Sequence, residues 1–209
     1  MLSLCVHEWA HAWSARRLGD DTAERMGRLT LNPFAHIDFL GTILLPFLRV
    51  PLGWASPVPI DPTQFKEGTR MSTGLAITAS AGPLANIAMA ILCAIAIGLL
   101  ARLAPQMILP GAPVRMLLAG DALGNEYVPG LLQLNVALAL FNLLPIPPLD
   151  GGRIVEALLP ARLRPTWEML AFVGPILLFG LVYMGAPIVA GPARHFLDLL
   201  QSLINAILA

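Results

Sequence analysis

An H-E-x-x-H motif, His7-Glu8-Trp9-Ala10-His11, lies in a stretch as apolar as a membrane segment, and the two facts together constrain the fold. On an α-helix, residues four apart stand about 40° apart around the axis and adjacent residues about 100° apart. His7 and His11 can therefore grip one Zn²⁺ from a single helix face, with the Glu8 carboxylate beside the metal-bound water. A soluble metalloprotease would carry the motif on a polar-faced helix. Ionisable groups at membrane depth are costly and usually mark function.

The composition agrees with a membrane setting. The chain is 56% hydrophobic and 12% charged, with a mean hydropathy of +0.72, where a soluble domain carries about 25% charged residues. Its 209 residues leave room for one helical membrane domain, residues 1–209, and its zero net charge gives no reason to expect nucleic acid as a partner. Cys5 and Cys93 form no C-x-x-C pattern, so neither a disulfide framework nor a thiolate zinc site is expected. Residues 2–18 make a first helix shorter than the roughly 20 residues that span a bilayer. The residues before His7 are too few for a signal peptide, so either upstream sequence is missing, which is the expectation, or the first helix only half-spans.

Along the chain, Arg28-Leu29-Thr30-Leu31 alternates polar and apolar before Asn32-Pro33 and reads as a short strand ending in a turn. The apolar stretch 39–50 is broken by Gly41 and Pro46, and Pro51, Gly53, Pro57 and Pro59 follow. Residues 24–60 are thus expected to be irregular or re-entrant, which at membrane depth needs burial by protein or access to water. Residues 75–103 are the strongest spanning helix, with Ala81 and Ala85, and Ala90 and Ala94, at a spacing that admits a close neighbour. A loop at 104–129 precedes an apolar helix at 130–149 that breaks at Pro145-Ile146-Pro147-Pro148 and ends in Leu149-Asp150-Gly151. A last span is expected at 167–189, with Pro175 and Pro187. An amphipathic helix at 194–209 follows, striped by Phe196, Leu199, Leu200, Leu203 and Ile207.

Charge predicts the topology. Arg16, Arg17, Arg25, Arg28, Lys66, Arg70, Arg153, Arg162 and Arg164 fall on one side of these spans, and Arg102, Arg115 and Arg194 on the other. The first side is cytoplasmic by the positive-inside rule, and it also holds the end of the His7–His11 helix and Asp150.

Two histidines leave a tetrahedral zinc short of one protein ligand and a water. Asp20, Asp21, Glu24 and Glu67 sit in polar loops, and Asp121 and Glu126 lie on the opposite side. Asp150 follows a broken helix end and is flanked by glycines that let the backbone bend close to a ligand. It is the best third ligand by elimination. Glu156 and His36 are the contenders if it is not.

The motifs together, His7-Glu8-x-x-His11, Ala81-Gly82-Pro83 and Asn142-Leu-Leu-Pro145-Ile-Pro147-Pro-Leu-Asp150-Gly151, resemble the site-2 protease family of intramembrane zinc metalloproteases, peptidase family M50, in a compact form without PDZ or CBS domains. The resemblance runs from residue 7 to about 165, and no motif residue departs from the pattern. It implies one Zn²⁺ held by His7, His11 and Asp150, with Glu8 as general base and Asn142 as a polar group near the scissile peptide. The implied fold is an all-α polytopic membrane protein. Its core is three transmembrane helices carrying the zinc, with additional helices and a small membrane-embedded β-hairpin or sheet at 28–31 and 54–60. The implied activity is that of an intramembrane zinc metalloendopeptidase acting on membrane proteins within or near a transmembrane helix. The lipid bilayer is then a partner, and a regulatory partner or an oligomer fits as well.

The chemistry stands beside the resemblance. A zinc ion lowers the pKa of its water to about 7, Glu8 takes the proton and returns it to the leaving amine, and the metal stabilises the oxyanion. The 28–31 strand would hold an unwound substrate as an added strand.

Other readings are open at this point. A non-proteolytic zinc-binding regulator or scaffold would close its metal with a fourth ligand and would not need Glu8. A zinc transporter would want several metal sites along a path. Asn86 is read as a helix-packing residue and Asn142 as either catalytic or packing. His36 is read as an interfacial, hydrogen-bonded histidine, and His195 is not read as a ligand. Trp9, Trp13, Trp54 and Trp167 are read as packing or interface anchors. The 104–129 loop is too short for a peptide-binding domain of about 90 residues, so substrate choice falls to the membrane domain, a partner or absent sequence.

Overall fold

The computed structural model of the protein describes residues 1–38, 41, 44, 47, 56–104, 130–183 and 187–209. Among them are seven α-helices, three short 3₁₀ turns and no strand. The helices are α1 (Leu2–Leu18), α2 (Thr22–Arg25), α3 (Met71–Leu103), α4 (Gly130–Asn142), α5 (Asp150–Leu158), α6 (Arg164–Tyr183) and α7 (Pro187–Leu208). They form two units, Met1–Ala85 with Asn142–Ala186, and Asn86–Phe141 with Pro187–Ala209.

In the first unit, α1 ends where Gly19 adopts φ 113°, with Gly19 N–H bonded to Arg16 O and Asp20 N–H to Ala15 O. This is a Schellman stop, and it needs a residue without a Cβ. The buried Asp20 then accepts from the N–H groups of Thr22 (2.9 Å) and Asp61 (2.7 Å). Lys66 N–H reaches Leu18 O at 2.7 Å. These bonds lay residues 56–66 along the end of α1, where Val58 buries its side chain with Ala12 and Ala23.

Further on, Gly151 and Gly152 open α5. A Cβ at Gly151 would overlap the carbonyl oxygens of Leu143 and Leu144, and one at Gly152 would stand 2.7 Å from Pro147 N. The chain can therefore turn tightly from the end of α4 into α5 only because both positions lack side chains.

The second unit packs the later part of α3 against α4 and α7. Ala90 and Ala94, both fully buried, meet Leu132 and Val136 of α4 and Ala193, Leu197, Leu200 and Ile204 of α7. Small residues four apart allow that approach, as their spacing predicts. Asn86 Nδ2 donates to Asn135 Oδ1 at 3.0 Å, and Asn135 Nδ2 to Leu131 O at 2.8 Å. The apolar seam of α7 is rotated from its predicted stripe. Ala193, Leu197, Leu200 and Ile204 are buried, Phe196 and Leu203 flank them, and Leu199 is exposed. The small Ala193 lets the helix approach on that side, a feature that a count of large apolar residues passes over.

Two expectations about the fold are corrected. The first is the β-hairpin or sheet. Residues 28–31 and 56–60 are not strands, and 54–55 lie outside the described residues, as do nearly all of 39–53 and the loop 105–129 with Arg115, Asp121 and Glu126. Side chains take two of the backbone groups that a ladder would use: His36 Nε2 pairs with Thr30 O at 2.8 Å, and Val58 N–H bonds the Glu8 carboxylate. The main-chain bond Ser56 N–H to His36 O starts beyond the first stretch, in the residues that follow it. Without consecutive bonds of that kind no sheet forms.

The second correction concerns the core of three transmembrane helices. Among the described residues one helix, Met71–Leu103, is long and apolar enough to cross a membrane. Gly130–Asn142 is apolar but has only 13 residues, and α1 has 17 with five ionisable side chains among them. Thirteen helical residues extend roughly 20 Å against a hydrocarbon core of about 30 Å.

Candidate metal centre

α1 places His7 and His11 one turn apart on its buried face. Asp150, the first residue of α5, is buried against them. Its carboxylate at a helix N-terminus is favoured by the helix dipole. His7 Nε2 lies 3.0 Å from Asp150 Oδ2, His11 Nε2 lies 3.3 Å from the same oxygen, and the two nitrogens are 3.1 Å apart. Zinc with bonds of about 2.0–2.1 Å holds neighbouring tetrahedral ligands roughly 3.3–3.4 Å apart, close to this triangle.

The donors are also in the right chemical state. His11 Nδ1 donates to Thr78 O at 2.7 Å, which assigns the proton to Nδ1 and leaves the Nε2 lone pair facing His7 and Asp150. Asp150 Oδ2 is buried and makes no hydrogen bond. The Asp150 carboxylate oxygen and the His11 Nε2 lone pair converge with no hydrogen bond to Asp150 Oδ2, and a cation beside His7 Nε2 would satisfy both. The residues present therefore fit a zinc ion. Among the described residues this is the one group of three His, Cys, Asp or Glu side chains close enough to hold a metal.

Two neighbours shape the centre. A Cβ on Gly82 would overlap His11 Nε2 and stand 2.7 Å from His7 Cε1, so α3 passes the imidazoles only because residue 82 is glycine. Glu8, half-buried beside His7, accepts a 3.1 Å hydrogen bond from Val58 N–H. The loop thus engages the Glu8 carboxylate, which is not one of the three converging donors.

The remaining candidates are not among the three converging donors. His36 is buried on Thr30 O and is not in the metal group. Glu156 is exposed on α5, and Asn142 is half-buried at the last residue of α4. Asn86 is paired with Asn135 in the second unit, and His195 is exposed. Trp9 stacks on Trp13, whose ring lies 4.9 Å beneath the Arg17 guanidinium. Trp54 is outside the described residues.

Sequence reasoning missed Thr78, Val58 and the role of Gly82. Thr78 and Val58 act through main-chain atoms, so their residue types carry no signal. Gly82 was visible within Ala81-Gly82-Pro83, but only the coordinates show which side chain fills the space of its absent Cβ.

Comparison with known proteins bears on the same residues. YwhC of Bacillus subtilis (strain 168), a protein named as a zinc metalloprotease, is 41% identical over 164 residues, 78% of this chain and 68% of its own length. Rip2 of Mycolicibacterium smegmatis, named in the same way, is 33% identical over 75% of this chain and 54% of its own length. Rip2 of Mycobacterium tuberculosis (strain ATCC 35801 / TMC 107 / Erdman) is 30% identical over 88% of this chain and 69% of its own. No solved structure matches. The profile of Peptidase family M50 matches residues 1–181, a span that takes in α1, the Gly82 turn of α3 and Asp150. The matched span contains the buried group of His7, His11 and Asp150, and this chain belongs to the membrane-associated zinc metalloproteases of Peptidase family M50.

Proposed function

We propose that this chain is an intramembrane zinc metalloendopeptidase that hydrolyses peptide bonds within or near the transmembrane segments of membrane proteins. The observation that carries the reading is the buried triangle of His7, His11 and Asp150 with Glu8 alongside, in a chain whose α3 is long and apolar enough to cross a bilayer.

His7, His11 and Asp150 hold one zinc per chain, which when bound activates water and polarises the scissile carbonyl. Thr78 O keeps His11 in the ligating tautomer. Glu8 removes a proton from the attacking water and delivers it to the leaving amine, and Val58 N–H keeps one of its oxygens in place. Asn142 offers an amide to the peptide near the cut. Glu8 also weighs against a non-proteolytic zinc protein, because a closed structural site has no use for a base. The chain is a multi-pass membrane protein with its active site toward the cytoplasm, as its arginine distribution favours.

The test is cleavage of a transmembrane reporter by wild-type protein and by Glu8→Gln, with zinc measured in both. Cleavage by wild type alone, at equal zinc, is the expected result. Equal cleavage by both removes Glu8 from the mechanism. No cleavage of any transmembrane reporter by zinc-loaded wild type overturns the reading.

A further inference from the structure

A cavity of about 710 Å³ in the first unit borders the metal centre. One wall is the proline-rich segment with Pro57 and Val58, another is the α3 turn with Leu75 and Thr78, and Arg153, Glu156 and Arg164 stand on its α5–α6 side. Two lining residues bond directly to catalytic side chains: Val58 through its N–H to Glu8, and Thr78 through its carbonyl to His11. The volume is in the range of about 300–1,000 Å³ that buries most of a drug-sized ligand. Prolines at 57 and 59 fix φ and stiffen the first wall, and Pro62 opens the 3₁₀ turn at its end.

Arg153 and Arg164 belong to the set that the positive-inside rule puts on the cytoplasmic side, but no contact within the described fold uses their guanidiniums. Arg153 lies in the first turn of α5, and Arg164 is the first residue of α6. A cation there opposes the helix dipole. Both are exposed, and among the described residues neither guanidinium forms an ion pair or a hydrogen bond, with Glu156 or with anything else. One carboxylate against two guanidiniums leaves the rim cationic. Arginine's planar fork matches a carboxylate in two parallel hydrogen bonds.

We propose that this cavity receives an extended, apolar stretch of substrate followed by acidic residues, whose carboxylates Arg153 and Arg164 bind. The proposal rests on the proteolytic reading and names its substrate class: membrane segments with an acidic flank. A lipid phosphate would suit the same guanidiniums. The apolar walls that lead from them to Val58 and Thr78 favour a peptide.

The experiment uses full-length Glu8→Gln protein in phosphatidylcholine nanodiscs and fluorescent peptides with one apolar stretch followed by Asp-Asp, Asn-Asn or Lys-Lys. The Asp-Asp peptide is expected to bind about fivefold more tightly than Asn-Asn, the gain of partly exposed ion pairs. Adding Arg153→Gln and Arg164→Gln abolishes that preference, and adding Arg153→Glu and Arg164→Glu turns it toward Lys-Lys, with zinc content unchanged as the check on folding. Equal binding of all three peptides, or a preference that the arginine variants leave intact, overturns the proposal. So does a difference between wild-type and arginine variants that follows phosphatidylglycerol content rather than peptide charge, which marks a headgroup site. Charge-selective binding with no cleavage by wild type defeats the proteolytic reading alone, and cleavage without charge selectivity defeats this inference alone.

Discussion

The backbone N–H of Val58 donates a 3.1 Å hydrogen bond to Glu8 Oε2, joining residues 50 positions apart. Val58 stands between two prolines, which have no N–H, so its amide is the one donor in Pro57-Val58-Pro59. The segment therefore aims a single hydrogen bond at the proposed catalytic base.

Val58→Pro removes that donor while keeping an extended backbone. A hydrogen bond to a charged group contributes about 1.5 kcal/mol or more, so kcat is predicted to fall about tenfold with zinc content unchanged. Val58→Ala keeps the N–H and costs about 1–2 kcal/mol of stability from the buried side chain, with kcat preserved. Equal kcat in the two variants would show that the bond does not position Glu8.

Gly82→Ala should gain stability of about 1 kcal/mol on helix propensity alone. The contact with the imidazoles predicts the opposite. The new methyl displaces His11, and zinc affinity falls at least about tenfold, as with other losses around metal ligands. Competition with a chelator of known affinity decides between them.

Asn86 and Asn135 are fully buried and hydrogen-bonded to each other at 3.0 Å. Between helices such polar pairs couple by roughly 0.6–2 kcal/mol. A double-mutant cycle with Asn86→Ala and Asn135→Ala should return a coupling of that size, with zinc content untouched in all variants. Additive losses would mean that the pair contributes nothing as a pair.

Asp61, half-buried in the loop beside α1, accepts from the Thr63 hydroxyl, Gln64 Nε2 and Thr63 N–H, which hold its carboxyl below the ordinary 3.8. A depressed folded value means that the contribution is present above the unfolded pKa and is lost as pH falls through the folded one. The Tm difference between wild type and Asp61→Ala should be constant above about pH 5 and close as pH drops well below about 4. A gap that widens with acid would contradict this.

How far the molecule could be read from its sequence depended on which atoms carry each feature. His7, Glu8 and His11 announce themselves through side-chain chemistry at fixed spacing, Asp150 was reached by elimination among the acidic residues, and the structure brings the three ligand candidates within 3.3 Å of one another. Ala90 and Ala94 were legible because small residues four apart have one geometric consequence. The alternation of Arg28-Leu29-Thr30-Leu31 misled, since strand periodicity says nothing about where backbone partners come from, and here His36 and Glu8 supply two of them. The seam of α7 was off because Ala193 looks unimportant until its neighbour is seen.

The most direct test of the account is the zinc content of purified wild-type, Glu8→Gln and Asp150→Ala proteins, measured together by elemental analysis. One zinc per chain in wild type and Glu8→Gln, with loss in Asp150→Ala, is the predicted result. Undiminished zinc in Asp150→Ala would contradict the assignment of His7, His11 and Asp150 as the metal centre.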